Sequence, residues 1–189
     1  MTLPAALGPA SRWKRLTRSV RRFGREGNAA TAVEFGLIAL PFIGLLMAII
    51  GTALLFLAGQ TLESAVDIPA RLIRTGQAQD QGLTGDTFKA QVCSEAIVLP
   101  SCTDSLHIDV RTYTSFTSMT ITDPVDANGN VDYSSFVYNA GHGGDIVMVR
   151  AYYEWPTFSR MLGLNFSNLT NGNHLLAAVA AFKNEPFAW

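Results

Sequence analysis

Phe35–Ala58 reads FGLIALPFIGLLMAIIGTALLFLA, 24 residues without one charged side chain, with Glu34 at its threshold. A spanning helix needs about 20 predominantly apolar residues, and this run would extend ~36 Å at the α-helical rise. Seven of the fourteen Lys and Arg lie just upstream: Arg12, Lys14, Arg15, Arg18, Arg21, Arg22 and Arg25. A basic flank of this kind holds its end in the cytoplasm. The run therefore reads as a single-pass anchor with its N-terminus inside and residues 60–189 exported. A secretory signal has an apolar region of roughly 7–15 residues. This one is longer, which favours an uncleaved anchor or one trimmed at its basic end.

Charge sharpens the asymmetry. Residues 1–26 carry a net of +6 and the remainder −7, so the overall −1 conceals two opposed segments. Against a membrane span, the basic segment serves topology and anionic lipid contact rather than nucleic-acid binding. The two cysteines, Cys93 and Cys102, both fall in the exported part. In an oxidising compartment an even count reads as one disulfide, the alternative being two buried thiols. Two thiols alone cannot close a zinc site, and no His lies at ligand spacing. The exported residues suffice for one small core.

Along the chain, residues 1–26 form a basic leader, 27–59 the membrane helix and 60–189 an exported domain. The helix is expected from about Thr31 to Thr75, bent at Pro41, a residue membrane helices tolerate. Gly44, Ala48 and Gly51 follow i, i+4, i+7 spacing. That stripe is either a lane for close approach of a second helix or ordinary lipid-facing small residues. Past Gly59 the pattern turns amphipathic. Leu62, Ala65, Val66, Leu72 and Ile73 share one side, with Glu63, Asp67, Arg71 and Arg74 on others. Gly76 suits a C-cap. A second helix should start at Asp86, put Phe88, Val92, Cys93, Ala96 and Ile97 on one face, and end at Pro100. Leu106–Met119 alternates like a strand, with Leu106, Ile108 and Val110 opposite His107, Asp109 and Arg111. Asp145–Trp155 and His174–Phe182 complete roughly three antiparallel strands, with a short helix at Phe158–Leu164 between the last two. The fold class is α+β: a long N-terminal transmembrane helix running into a small domain with a second helix and that sheet.

No catalytic set emerges. Gly141-His142-Gly143-Gly144 lacks an accompanying nucleophile elbow and reads as a turn that needs glycine. His107, His142 and His174 are scattered, so neither a metal nor another cofactor is indicated. Asp126, Asn128, Asn130 and Asp132 alternate like the first half of a calcium loop. Gly129 and Val137, however, stand out of step with the Gly and Glu such a loop requires, and Asn128-Gly129 is a turn dipeptide. Glu34 is the informative charge. A carboxylate costs roughly 2.5–3.5 kcal/mol at mid-bilayer and less near the edge. It is a functional candidate or a boundary residue resting in the headgroups.

The approach to Glu34, Asn28-Ala29-Ala30-Thr31-Ala32-Val33, resembles the N-terminus of the TadE-like pseudopilins of tight-adherence (Tad) pilus systems. Further along, Arg71 to Gln79 with its Arg74-Thr75-Gly76-Gln77 core is similar to that family. So are Phe88 with Cys93 and Cys102, Val149-Arg150-Ala151-Tyr152 with Trp155-Pro156, and Phe182-Lys183-Asn184-Glu185-Pro186-Phe187. The resemblance implies a non-enzymatic minor pseudopilin or assembly component of a Tad-type pilus. It places the anchor in a bacterial inner membrane and the domain in the periplasm. Partners would be other pilins or pseudopilins and the inner-membrane assembly platform, with a prepilin peptidase as processing enzyme. Glu34 would pair with the free terminal amine of a neighbouring subunit. Such peptidases usually cut after Gly and leave Glu fifth. Counting back from Glu34 puts the cut between Ala29 and Ala30, whereas a cut after Gly27 would leave Glu34 seventh. The other function consistent with the chain is a membrane-anchored binding or adhesion module that uses the Asp123–Gly144 loop, rich in Gly, Asn and Asp, for recognition.

Overall fold

A computed structural model of the chain describes residues 27–121, 123–157 and 167–188. The basic leader and the expected Phe158–Leu164 helix lie outside the described residues. Two units divide the chain, Met1–Ile49 and Ile50–Trp189.

Helix α1 spans Gly27–Arg74 and is continuous through Pro41. Its first part is apolar on every side and bare: Phe35, Leu37, Ile38 and Leu40 are all exposed. A helix hydrophobic all round is a membrane span or the core of a large protein, and none of the described residues covers this one. Past Gly59 the amphipathic reading holds. Leu62, Ala65, Val66 and Ile73 are buried, Leu72 is half-buried, and Glu63, Asp67, Arg71 and Arg74 face out.

Gly76 ends the helix in the left-handed region, φ 81°, and a Cβ there would also lie 2.6 Å from the Phe187 ring. Only glycine meets both demands. One short turn, α2 (Gln77–Asp80), leads to α3 (Gly85–Glu95), whose start is fixed by a capping box between Thr84 and Thr87. The start lies one residue before the expected Asp86. The end lies short of Pro100, at Glu95. Ile97 is therefore off the helix and exposed rather than on its buried face. Phe88, Val92 and Ala96 do pack inward.

After α4 (Cys102–Ser105), three antiparallel strands form a sheet in the order β1-β2-β3. They are β1 (Leu106–Tyr113), β2 (Ile146–Trp155) and β3 (His174–Lys183). The first strand stops at Tyr113, short of the expected Met119, because Ser115 and Ser118 cap each other around a 3-10 turn at Phe116–Ser118. One sheet face, including Leu106, Val110, Val147, Val149, Ala151 and Tyr153, joins α1 and α3 in a single core.

The other face is not solvated. The Thr114–Asp145 connection folds back over it, and its Val137–Asn139 segment pairs with Val110: Val110 N–H donates to the Val137 carbonyl at 2.7 Å, and Asn139 N–H to the Val110 carbonyl at 2.9 Å. Central strand β2 is consequently buried from Val147 to Tyr153 on both faces. His107, Asp109 and Arg111, which the alternation sets opposite Leu106, Ile108 and Val110, lie under this cover.

Candidate assembly surfaces

Glu34 sits exposed on α1, and Gly44 opens onto empty space, with nothing within 4 Å of a Cβ built there. Ala48 and Gly51 continue the same stripe, partly shielded between larger neighbours. Ala29 and Ala30 fall in the first turn of the helix. The four assembly candidates therefore stand on one element, Glu34 on the part of the helix whose apolar side chains are exposed among the described residues.

The cysteines are joined. Cys93 near the end of α3 and Cys102 at the start of α4 form a disulfide with Cα atoms 5.6 Å apart. It closes the turn between the helices beside the core, where Leu99 and Ala96 are buried. The Tyr153 hydroxyl donates to the Pro100 carbonyl, tying the same turn to β2.

Beneath the connection lies a polar network that sequence reading missed. Asp109 is completely buried and Arg150, opposite it in the β1–β2 register, is 6% exposed. Arg150 donates through Nε (3.0 Å) and Nη2 to Asp109 Oδ2. Arg111 Nε donates to both carboxylate oxygens at 3.0 Å, and Val137 N–H to Oδ1 at 2.9 Å. Burial alone would depress the Arg150 guanidinium, but the hydrogen bonds and charge of Asp109 outweigh it and raise its pKa. Buried charge is tolerated only when paired and fully hydrogen-bonded, and this carboxylate meets that condition. The available signal was Arg150 itself, a charge in the middle of the apolar run Ile146–Tyr153.

Glu154 forms a second clamp. Tyr133 hydroxyl donates to its Oε1 at 2.7 Å, and Asn171 and Asn173 side chains to Oε2 at 2.8 and 3.2 Å. Burial would raise Glu154, yet these donors prevail and its pKa falls below the ordinary value. The His107 ring stacks on Tyr133 with centroids 3.5 Å apart.

A cleft of about 330 Å³ opens between the sheet and the connection, with Arg111, Arg150 and Tyr152 on one side and Asp123, Asp126 and Asp132 on the other. The alternating acids serve the loop itself. Asp126 Oδ1 accepts from the Asn128 and Asn130 amides at 2.8 Å, and Asp132 Oδ1 from Ser134 N–H at 2.9 Å. Their pKa values are lowered, chiefly by the Asn130 amide and by Ser134 respectively. Among the described residues no group of three His, Cys, Asp or Glu is arranged to hold a metal ion.

The glycine-rich His142 segment is part of a structural junction. Asn184 Nδ2 donates to the Ala140 and His142 carbonyls at 3.0 Å, and Gln79 Nε2 to the Ala140 carbonyl at 2.9 Å. Glu185 N–H donates to the Arg74 carbonyl at 2.8 Å. The Arg74–Gln79 and Asn184–Phe187 segments, distant in sequence, thus meet at one corner.

A bare apolar helix of membrane-spanning length joined to a disulfide-closed α+β domain fits a membrane-anchored protein. Residues 29–71 match the TadE-like protein family, a stretch that begins at Ala29 and takes in Glu34, the apolar run and most of the amphipathic half of α1. The match lies wholly within α1. No curated protein and no solved structure matches the chain.

Proposed function

We propose that the protein is a minor pseudopilin or assembly component of a Tad-type pilus, anchored in a bacterial inner membrane with its sheet domain in the periplasm. The observation that carries this reading is that the family match at residues 29–71 takes in the apolar helix surface from Phe35 to Leu57, which is exposed among the described residues. Apolar area of that extent requires lipid or neighbouring helices around it. Glu34 then pairs with the terminal amine of an adjacent subunit once a prepilin peptidase has cut between Ala29 and Ala30. Such a pair offsets the carboxylate's desolvation and sets the axial register of neighbouring helices. Gly44, Ala48 and Gly51 supply the lane along which those helices approach. Other pilins and the inner-membrane platform are the partners.

The test is Glu34→Gln, which keeps shape and removes charge. It should leave the disulfide and the sheet domain intact while reducing recovery of partner pilins and the number of pili on cells. A Glu34→Gln strain with wild-type partners and normal piliation would reduce Glu34 to a boundary residue.

A further inference from the structure

The turn closed by the disulfide has an unusual composition. Leu99 N–H donates to the Ala96 carbonyl at 3.0 Å, so Ile97 and Val98 occupy the two central positions. Turn centres favour Gly, Pro, Asn, Asp and Ser, and β-branched apolar residues satisfy none of the reasons for that preference. Neither side chain is used by the core: Ile97 is 89% exposed and Val98 46%. The presentation is nevertheless rigid. Ala96 and Leu99 on either side are buried, Cys93 and Cys102 bracket the turn, and Tyr153 holds Pro100. No charged residue occurs from Ala96 to Thr103.

Position supplies the occupant. The long helix ends before Gly76, and Glu95 at the end of α3 shares a cleft with Gln60, Thr61, Ser64, Ala65 and Ile68 of α1. Ile97 follows Glu95 by two residues, a reach of at most ~7 Å. The uncharged run of α1 ends at Ala58, so the cleft begins ~3 Å and ends ~15 Å further along the helix. Exposed Phe56 and Leu57 belong to this same end of the run. The run is ~36 Å long against a hydrocarbon core of ~30 Å, so its last turn lies in the interfacial zone.

We infer that the Ile97-Val98 tip inserts into the outer leaflet of the bilayer beside the helix, giving the domain a second contact with lipid and fixing its tilt. Lipid is favoured over a protein partner because the tip lies near the apolar end of α1 and shares its uncharged, apolar character. The inference rests on the membrane-anchor reading. The experiment is therefore built to separate the two.

The photoreactive residue p-benzoylphenylalanine is placed singly at Phe56, Ile97 or Ile121 of the full chain. Ile121 is an exposed apolar residue beyond the far end of β1. Each protein is reconstituted in phosphatidylethanolamine–phosphatidylglycerol vesicles, irradiated, and weighed for acyl-chain adducts. Positions 56 and 97 should both capture lipid, with roughly tenfold more adduct at 97 than at 121, the partition expected from burying one Ile-sized side chain. Lipid capture at 56 with no excess at 97 over 121 would overturn the tip and leave the anchor standing. Protein adducts in place of lipid at 97, when native membranes are irradiated, would overturn it equally. Absence of lipid at 56 would overturn the anchor and the tip together.

Discussion

Asp109→Ala is the most demanding perturbation of this fold. The wild-type carboxylate is fully buried and accepts from Arg150, Arg111 and Val137 N–H. Truncation leaves the Arg150 guanidinium, 6% exposed, as an uncompensated buried charge, a defect that costs about 3–5 kcal/mol. The orphaned Val137 amide carries a further penalty of about 1–3 kcal/mol if it stays buried. The two losses share a partner and do not add fully. Against a domain stability of about 5–15 kcal/mol, the variant should be close to its threshold, and the connection over the sheet should loosen first because the Val137 amide and Arg111, which also donates to the Ser135 carbonyl, both lose Asp109. Urea unfolding of the full-length, disulfide-intact protein in detergent micelles, followed by near-ultraviolet circular dichroism, gives the loss. Limited proteolysis locates it in residues 123–144. The double variant Asp109→Ala, Arg150→Met should recover much of it, since replacing both charges by apolar groups removes the desolvation problem. A single-variant loss below about 1 kcal/mol, or a double variant no better than the single, would refute the assignment of this pair as the keystone of the outer face.

Reducing the Cys93–Cys102 disulfide opens a ten-residue ring and should destabilise the domain by roughly 2.5 kcal/mol, read as a lower urea midpoint; coincident midpoints with and without reductant would contradict it. Acid should weaken the domain in two steps. Burial, then the charge of Lys89, holds His107 below its ordinary 6.5 against the opposing pull of Glu154. The unfolded state therefore binds the proton first, and this contribution is complete above the unfolded value and is lost as pH falls from there through the folded one. Glu154, also depressed from 4.5, contributes above that value and loses its share as pH falls through its folded pKa. Melting temperature measured from about pH 7 down to about pH 3 should fall throughout, His107→Phe flattening the upper part and Glu154→Gln the lower. Variants whose profiles overlay wild type would exclude both groups.

Four kinds of information were legible in the sequence, the first three because they are local. Hydropathy over Phe35–Ala58 and the helical period after Gly59 mark α1 without reference to anything it touches. Gly76 announces a helix stop through its backbone freedom. Alternation at Leu106–Arg111 and the apolar runs near 146 and 174 locate the strands, so the α+β class and the three-stranded sheet follow from pattern alone. The cysteine pair follows from its even count in the segment after the apolar run.

What tertiary structure decided depends on segments far apart in sequence. Alternation in β1 says that His107, Asp109 and Arg111 share a face, but not whether that face meets water. The connection from Thr114 to Asp145 covers it, and with that cover Asp109 and Arg150 change from surface charges into a buried pair. The same distance hides the corner where Phe187 presses on Gly76 and Asn184 holds the His142 turn. It also hides the exposure of Ile97, which helical spacing places inward and which an early helix end at Glu95 turns out. Local pattern fixes which side of an element a residue occupies. What lies against that side is set by chain closure, because burial is a property of both partners in a contact.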